Sequence, residues 1–340
     1  MRSLCALLCV GALRRSSGSF NRLCNESSEP KDAHKRGAAP PVGFVVLKVG
    51  NSGSSWFSSL VARLDKTYFL DEAFTSSGKR AAPTSDADLQ RYLARALAEP
   101  TGYYGSEGCA RWGAQSPAAL ACFQDKECRL RAVGFSYNPL PSEGKELAPF
   151  ERVVPGWLTA NLPAARLVVW VRTNVVKMAL ATHGDKSVAH YYGAAGDPAK
   201  HLSRLNESKR TDLGHFSSTV NMLIQRNMAL LDWAHAAGDR ALLCYYEAFQ
   251  LDAYAEMERV RKFLGVPKTP GRACDSASAK ASSEDLRRLD AYPALRRLLL
   301  ETKNDCLRAM LEDTTPKVYP ACRLLTVAGL AALSGASGHK

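Results

Sequence analysis

A chain of 340 residues, 46% hydrophobic and 23% charged, has an ordinary globular balance and room for one large domain, so a mainly disordered protein is excluded. The formal net charge is +12, and +8 of it lies beyond residue 40, so the body itself suits an anionic ligand, nucleic acid or an acidic surface. No basic run is interleaved with aromatic residues, and a nucleic-acid partner is therefore not expected.

Residues 1–24 hold four Arg and no acid, with an apolar stretch from Leu4 to Leu13. That stretch matches a signal-peptide core and falls far short of the roughly 20 residues that span a bilayer. An Arg- and Ser-rich start also fits an organelle transit peptide, and no A-x-A cleavage site decides between the two. We take residues 1–24 as a leader, with the secretory reading preferred, and expect membrane association through it alone. Residues 25–41 are polar, end in Ala38-Ala39-Pro40-Pro41, and read as a flexible linker.

Order is expected from Val42. Phe44-Val45-Val46-Leu47 reads as a buried strand between Gly43 and Gly50. Trp56, Leu60, Ala62 and Leu64 then fall at helical spacing, with Ser54 or Ser55 as the natural N-cap. Tyr68–Leu70 reads as a second strand, residues 84–99 as a helix and Ala132–Tyr137 as a strand among irregular loops. Leu167–Val171 is the clearest buried strand, followed by a helix near Val175–Ala181. A long helix is expected over about 213–237, a strand at Ala241–Tyr245, and helices near 252–264 and 283–312. Strands alternating with helices imply a parallel sheet with right-handed crossovers.

Ten cysteines include no C-x-x-C and no Cys/His ligand spacing, so zinc is not expected and disulfides in an oxidising lumen are. Asn25-Glu26-Ser27 and Asn206-Glu207-Ser208 are glycosylation sequons.

Gly50-Asn51-Ser52-Gly53-Ser54-Ser55-Trp56 lies between a predicted strand and a predicted helix. Such a junction aims backbone N–H groups and the positive helix end at one point, and its glycines admit an anion closely. There is no G-K-[ST], so the Mg²⁺ and γ-phosphate apparatus of a Walker A loop is not expected. Taken alone, the segment also fits a strand-to-helix turn without a ligand.

Ser52-Gly53-Ser54-Ser55-Trp56 resembles the 5′-phosphosulfate loop of sulfotransferases that use PAPS (3′-phosphoadenosine 5′-phosphosulfate), written [KR]-[ST]-G-[ST]-[ST]-[WF]. The resemblance implies that this loop cradles the phosphosulfate while a leading cation steadies the bridging oxygen. Asn51 stands at the cationic position here, and Lys48, three residues upstream, is the candidate replacement. Tyr68-Phe69-Leu70-Asp71-Glu72-Ala73-Phe74 is similar to the F-Y-L-x-E-P segment of the carbohydrate sulfotransferases, which implies that Glu72 is the acceptor-side base. Val169-Trp170-Val171-Arg172, continuing to Lys177, is similar to the 3′-phosphate segment, in which a strand-end Arg pairs with the phosphate. The family's Ser eight or nine residues further on is replaced by Leu180 or Ala181, leaving Thr182 as the candidate second donor. Leu242–Phe249 and Val260–Val266 resemble the Y-E-D-L … F-L-G-[LV] ending, which supports the fold and adds no chemistry. His183 is the nearest histidine to a motif, and Ser136 stands where relatives often carry Lys.

The resemblance implies one α/β, P-loop-like three-layer domain over residues 42–315, with a central parallel sheet flanked by helices and a tail at 316–340. It implies sulfuryl transfer from PAPS to a hydroxyl, on a carbohydrate, by positioning and charge stabilisation without a metal. The matching location is the secretory pathway, in the Golgi lumen, with a plastid or other organelle as the alternative. Asn51, Ala181 and Ser136 keep open a non-catalytic protein that binds nucleotide or glycan, and an unrelated phosphate enzyme on a P-loop-like fold is a further rival. Acceptor specificity belongs to residues 101–150 and 183–212, which carry no readable motif.

Overall fold

The computed structural model describes residues 41–50, 52–70, 87, 130–138, 163–183, 213–268, 291–313 and 315–325. The expected helix at 84–99 and the start of the one at 283–312 lie outside them.

Five strands form one sheet: β1 (Val42–Lys48), β2 (Thr67–Leu70), β3 (Ala132–Tyr137), β4 (Arg166–Val171) and β5 (Ala241–Tyr245), in the order β2-β3-β1-β4-β5. All four pairings are parallel. The runs in β1, β3 and β4 are apolar almost throughout because helices cover both faces, leaving no solvated side that would impose alternation. The chain builds β3 on one side of β1 and β4 on the other, so the crevice of this sheet opens at the carboxyl ends of β1 and β4.

One face of the sheet is covered by α1 (Ser54–Val61) and, after β5, by α4 (Tyr246–Leu264); Phe57, Leu60, Phe249 and Val260 meet Phe44, Val46, Val168 and Trp170 there. The other face is covered by α2 (Val175–His183), α3 (Leu213–Ala237), α5 (Tyr292–Glu301) and α6 (Asp305–Glu312). Residues 315–325 form no helix or strand, yet Tyr319, Cys322 and Leu325 are buried in that second core. A Cys306–Cys322 disulfide ties this segment to α6. No helix among the described residues is long and apolar enough to cross a membrane.

Two helices are broken where the sequence reading runs on or begins late. The helix expected near 252–264 begins at Tyr246 and breaks at Asp252, which has non-helical φ −149° and ψ 85°; its Oδ1 accepts the Ala255 N–H at 2.9 Å and restarts the helix. The expected helix 283–312 is divided: Lys303 has φ 49°, and Asn304 caps α6 by accepting the Leu307 N–H at 3.1 Å. Both breaks place a short polar side chain where it competes with the helical backbone.

Gly134 of β3 sits in register between Phe44 of β1 and Phe69 of β2, whose rings stack over it at 5.6 Å. A Cβ at this glycine would fall 2.5 Å from the Phe44 ring. We expect Gly134→Ala to lower the unfolding free energy by about 1–3 kcal/mol, the usual cost of overpacking, as read from urea denaturation. An unchanged midpoint would show that the ring stack yields freely.

Candidate functional site

Between β1 and α1 the chain turns at Gly50, and the Ser52 N–H donates to the Val49 carbonyl at 3.4 Å. Gly53 then adopts φ 79°, ψ 17° and is itself the N-cap of α1, its carbonyl accepting the Trp56 N–H at 3.1 Å. This corrects the expected Ser54 or Ser55 cap: the turn requires the left-handed region, which glycine enters without a Cβ clash. No side chain caps this end of α1, and its first turn carries no acid, so the positive helix end is not answered by a carboxylate of that turn. The Ser52 carbonyl accepts the Trp170 indole N–H at 3.0 Å, which pins the loop to β4. The Ser52 Oγ is buried and has no hydrogen-bond partner among the described residues.

Lys48 ends β1 in register with Trp170 and is 1% exposed. By strand alternation it shares the α1 face with Phe44 and Val46. Its place at the carboxyl end of β1, two residues before the turn at Gly50, makes Lys48 a candidate for ligand charge.

Arg172 follows β4. Its guanidinium lies over the Tyr246 ring at 4.8 Å, and that ring meets Trp56 edge-on at 5.8 Å and Trp170 at 6.1 Å. Arg172 therefore lies on the α1 side of the sheet, one aromatic ring from Trp56 in the first turn of α1.

The corner Arg172–Asn174 is held by its neighbours. Glu247, 2% exposed in the first turn of α4, accepts the Thr173 N–H at 3.1 Å and the Asn174 N–H at 2.9 Å. Asn227 of α3 donates to the Arg172 carbonyl at 2.7 Å. Asn174 caps α2 by accepting the Lys177 N–H at 3.0 Å and donates to the Met310 carbonyl at 2.9 Å. The sequence reading gave the Tyr246-Glu247 segment no chemistry; the structure makes Glu247 the clamp of this corner. A carboxylate buried in the first turn of a helix needs donors nearby, and here they come from another strand's end.

Asn51 and Glu72 lie outside the described residues. Ser55 and Thr182 fall within α1 and near the end of α2, with their side chains outside the described set, and His183 ends α2. Ser136 is buried in β3, in register with Val46. Among the described residues no group of three or more His, Cys, Asp or Glu could hold a metal ion.

The architecture is an all-parallel α/β domain whose first strand-to-helix loop and fourth-strand Arg converge at one end of the sheet. No protein-family model matches the chain, and no curated protein matches it significantly. Among the solved structures it resembles is a sulfotransferase from Alicyclobacillus acidocaldarius, with TM-score 0.36, 16% identity, 81% of this chain and 96% of that chain covered. Another is the sulfotransferase domain from the curacin biosynthetic pathway, with TM-score 0.35, 12% identity and coverage of 88% and 99%. A third is the sulfotransferase domain of the Synechococcus PCC 7002 olefin synthase, with TM-score 0.30, 17% identity and coverage of 91% and 100%.

Proposed function

We propose that this chain transfers a sulfuryl group from PAPS to a hydroxyl acceptor, of the carbohydrate class. The observation that carries the reading is the position of the Arg172 guanidinium on the α1 side of the sheet, joined through Tyr246 to Trp56 at the helix tip. Amides of Gly53, Ser54 and Ser55 hold the 5′-phosphosulfate, with Trp56, whose own N–H goes to the Gly53 carbonyl, closing the turn, and the Ser52 hydroxyl, next in sequence to Asn51, as a further donor. Arg172 takes the 3′-phosphate, and Thr182 is assigned as its second donor. Lys48 supplies the charge that Asn51 lacks. The acceptor oxygen attacks sulfur, the bond from sulfur to the bridging oxygen breaks, and that oxygen leaves with the electron pair on 3′-phosphoadenosine 5′-phosphate (PAP). Glu72 takes the hydroxyl proton, and Lys48 balances the charge that grows on the bridging oxygen.

The carbohydrate acceptor rests on the likeness around Glu72. The disulfide between Cys306 and Cys322, a bond favoured in oxidising compartments, supports the secretory and Golgi location. A second reading, nucleotide or glycan binding without turnover, is favoured by Asn51, Ala181 and Ser136, each standing where a cation or donor is expected. Calorimetry with PAP is expected to give a roughly micromolar Kd, and ³⁵S-labelled PAPS is expected to label a glycan in an acceptor panel. Binding without labelling would select the second reading. Absence of binding would remove the PAPS assignment.

A further inference from the structure

The segment 315–325 meets the Arg172 corner from the far end of the chain. The Tyr319 N–H donates to the Thr173 Oγ at 3.1 Å, across 146 residues of sequence, next to the residue assigned to the 3′-phosphate. The segment has no regular backbone ladder of its own. Its fastenings are bonds made by side chains. Asn304 donates to the Arg323 carbonyl at 2.9 Å. Asn221 of α3 accepts the Leu325 N–H at 2.7 Å and donates to the Leu325 carbonyl at 2.8 Å. The Tyr319 hydroxyl donates to Asp313 at 2.7 Å. One fastening is covalent, the Cys306–Cys322 bond, and it lies three residues from Tyr319.

We infer that residues 315–325 are a strap that positions Arg172 for the 3′-phosphate, with the Cys306–Cys322 disulfide as its latch, so that reduction of that one bond weakens donor binding. The inference rests on the PAPS reading for its ligand and on the bonds above for its mechanics. In the reduction a dithiol gives up two electrons and two protons, becoming a cyclic disulfide, while Cys306 and Cys322 become thiols. The cut bond had closed a short loop, and its loss returns conformational freedom to the strap. The Tyr319–Thr173 bond must then hold without that constraint. A guanidinium on a loosened corner binds less well because ordering it is charged against the affinity.

The test uses the full chain as wild type, Cys306→Ser/Cys322→Ser, Thr173→Val and Thr173→Ser. Calorimetry compares PAP with adenosine 5′-phosphosulfate, which lacks the 3′-phosphate. Thr173→Val is expected to weaken PAP about fivefold, the effect of one lost hydrogen bond. Thr173→Ser restores it, and the double Cys variant loses at least as much as Thr173→Val. Adenosine 5′-phosphosulfate binding stays unchanged in all of them. Amide hydrogen exchange provides a readout without ligand: Thr173, Asn174 and Tyr319 exchange faster in the double Cys variant, while Val168–Trp170 in β4 do not. PAP affinity at the wild-type level in both the Cys and Val variants, or equal losses for both nucleotides, would overturn the strap. Should the double Cys variant fail to fold, the Thr173 pair decides. A wild type that binds no PAP removes the donor assignment, and the exchange pattern then judges the strap alone.

Discussion

Arg172→Ala is expected to weaken PAP binding about a hundredfold while leaving the fold intact. Truncating one partner of a buried, hydrogen-bonded charge pair removes about 2–5 kcal/mol, because the phosphate is left without its counter-charge. In the free protein the substitution also removes the contact of Arg172 with the Tyr246 ring, about 0.5–2 kcal/mol. Arg172→Lys should recover part of the loss, as an ammonium supplies charge without the planar two-pronged donor set. Calorimetry with PAP, beside thermal melts of the free proteins, separates these effects. An alanine variant with the wild-type Kd would remove Arg172 from the site and with it the 3′-phosphate assignment.

Glu247→Gln is expected to cost about 2 kcal/mol of stability and to weaken PAP as well. The carboxylate has one oxygen for each of two amides, at Thr173 and Asn174, and the residue is 2% exposed. Glutamine keeps one acceptor and turns an NH₂ toward the other amide, leaving a buried donor unsatisfied at about 1–3 kcal/mol. Urea denaturation measures the first effect and calorimetry the second. The two residues should be non-additive toward PAP: once Arg172 is Ala, the clamp has no guanidinium to position, and Glu247→Gln should add little. Full additivity in that double-mutant cycle would separate Glu247 from the corner's function.

Much of the sheet is legible from local sequence. Ala132–Tyr137 and Ala241–Tyr245 are strands with the expected bounds, and Leu167–Val171 is extended by Arg166 alone. Short apolar runs that must be covered on both faces leave a strong local signal. Helix ends were less legible. Ser54 carries the side chain that favours a cap, but the backbone path into α1 demands the left-handed region, and that demand selects Gly53. At Asp252 and at Lys303–Asn304 the apolar spacing continues through a break that a single polar side chain stabilises.

The site divides along the same line. Residues 50–56 and the segment ending at Arg172 resemble family motifs that are each contiguous in the chain. In local sequence the strap has the character of a tail, since its burial depends on α3 and α6. Glu247 carries no local sign of its role, since its two donors lie more than 70 residues upstream.

Composition and local pattern alone thus determine an α/β chain, the places of its strands, and a strand-to-helix loop suited to an anion, while the role of Arg172 comes from the resemblance of its segment to the family's. Tertiary structure decides the strand order, puts Arg172 on the α1 side of the sheet, and brings Glu247, Asn227 and Tyr319 to one corner. The reason is physical: burial and backbone preference are set by neighbours in sequence, whereas the partner of a buried donor is set by which distant segment the packed core brings beside it.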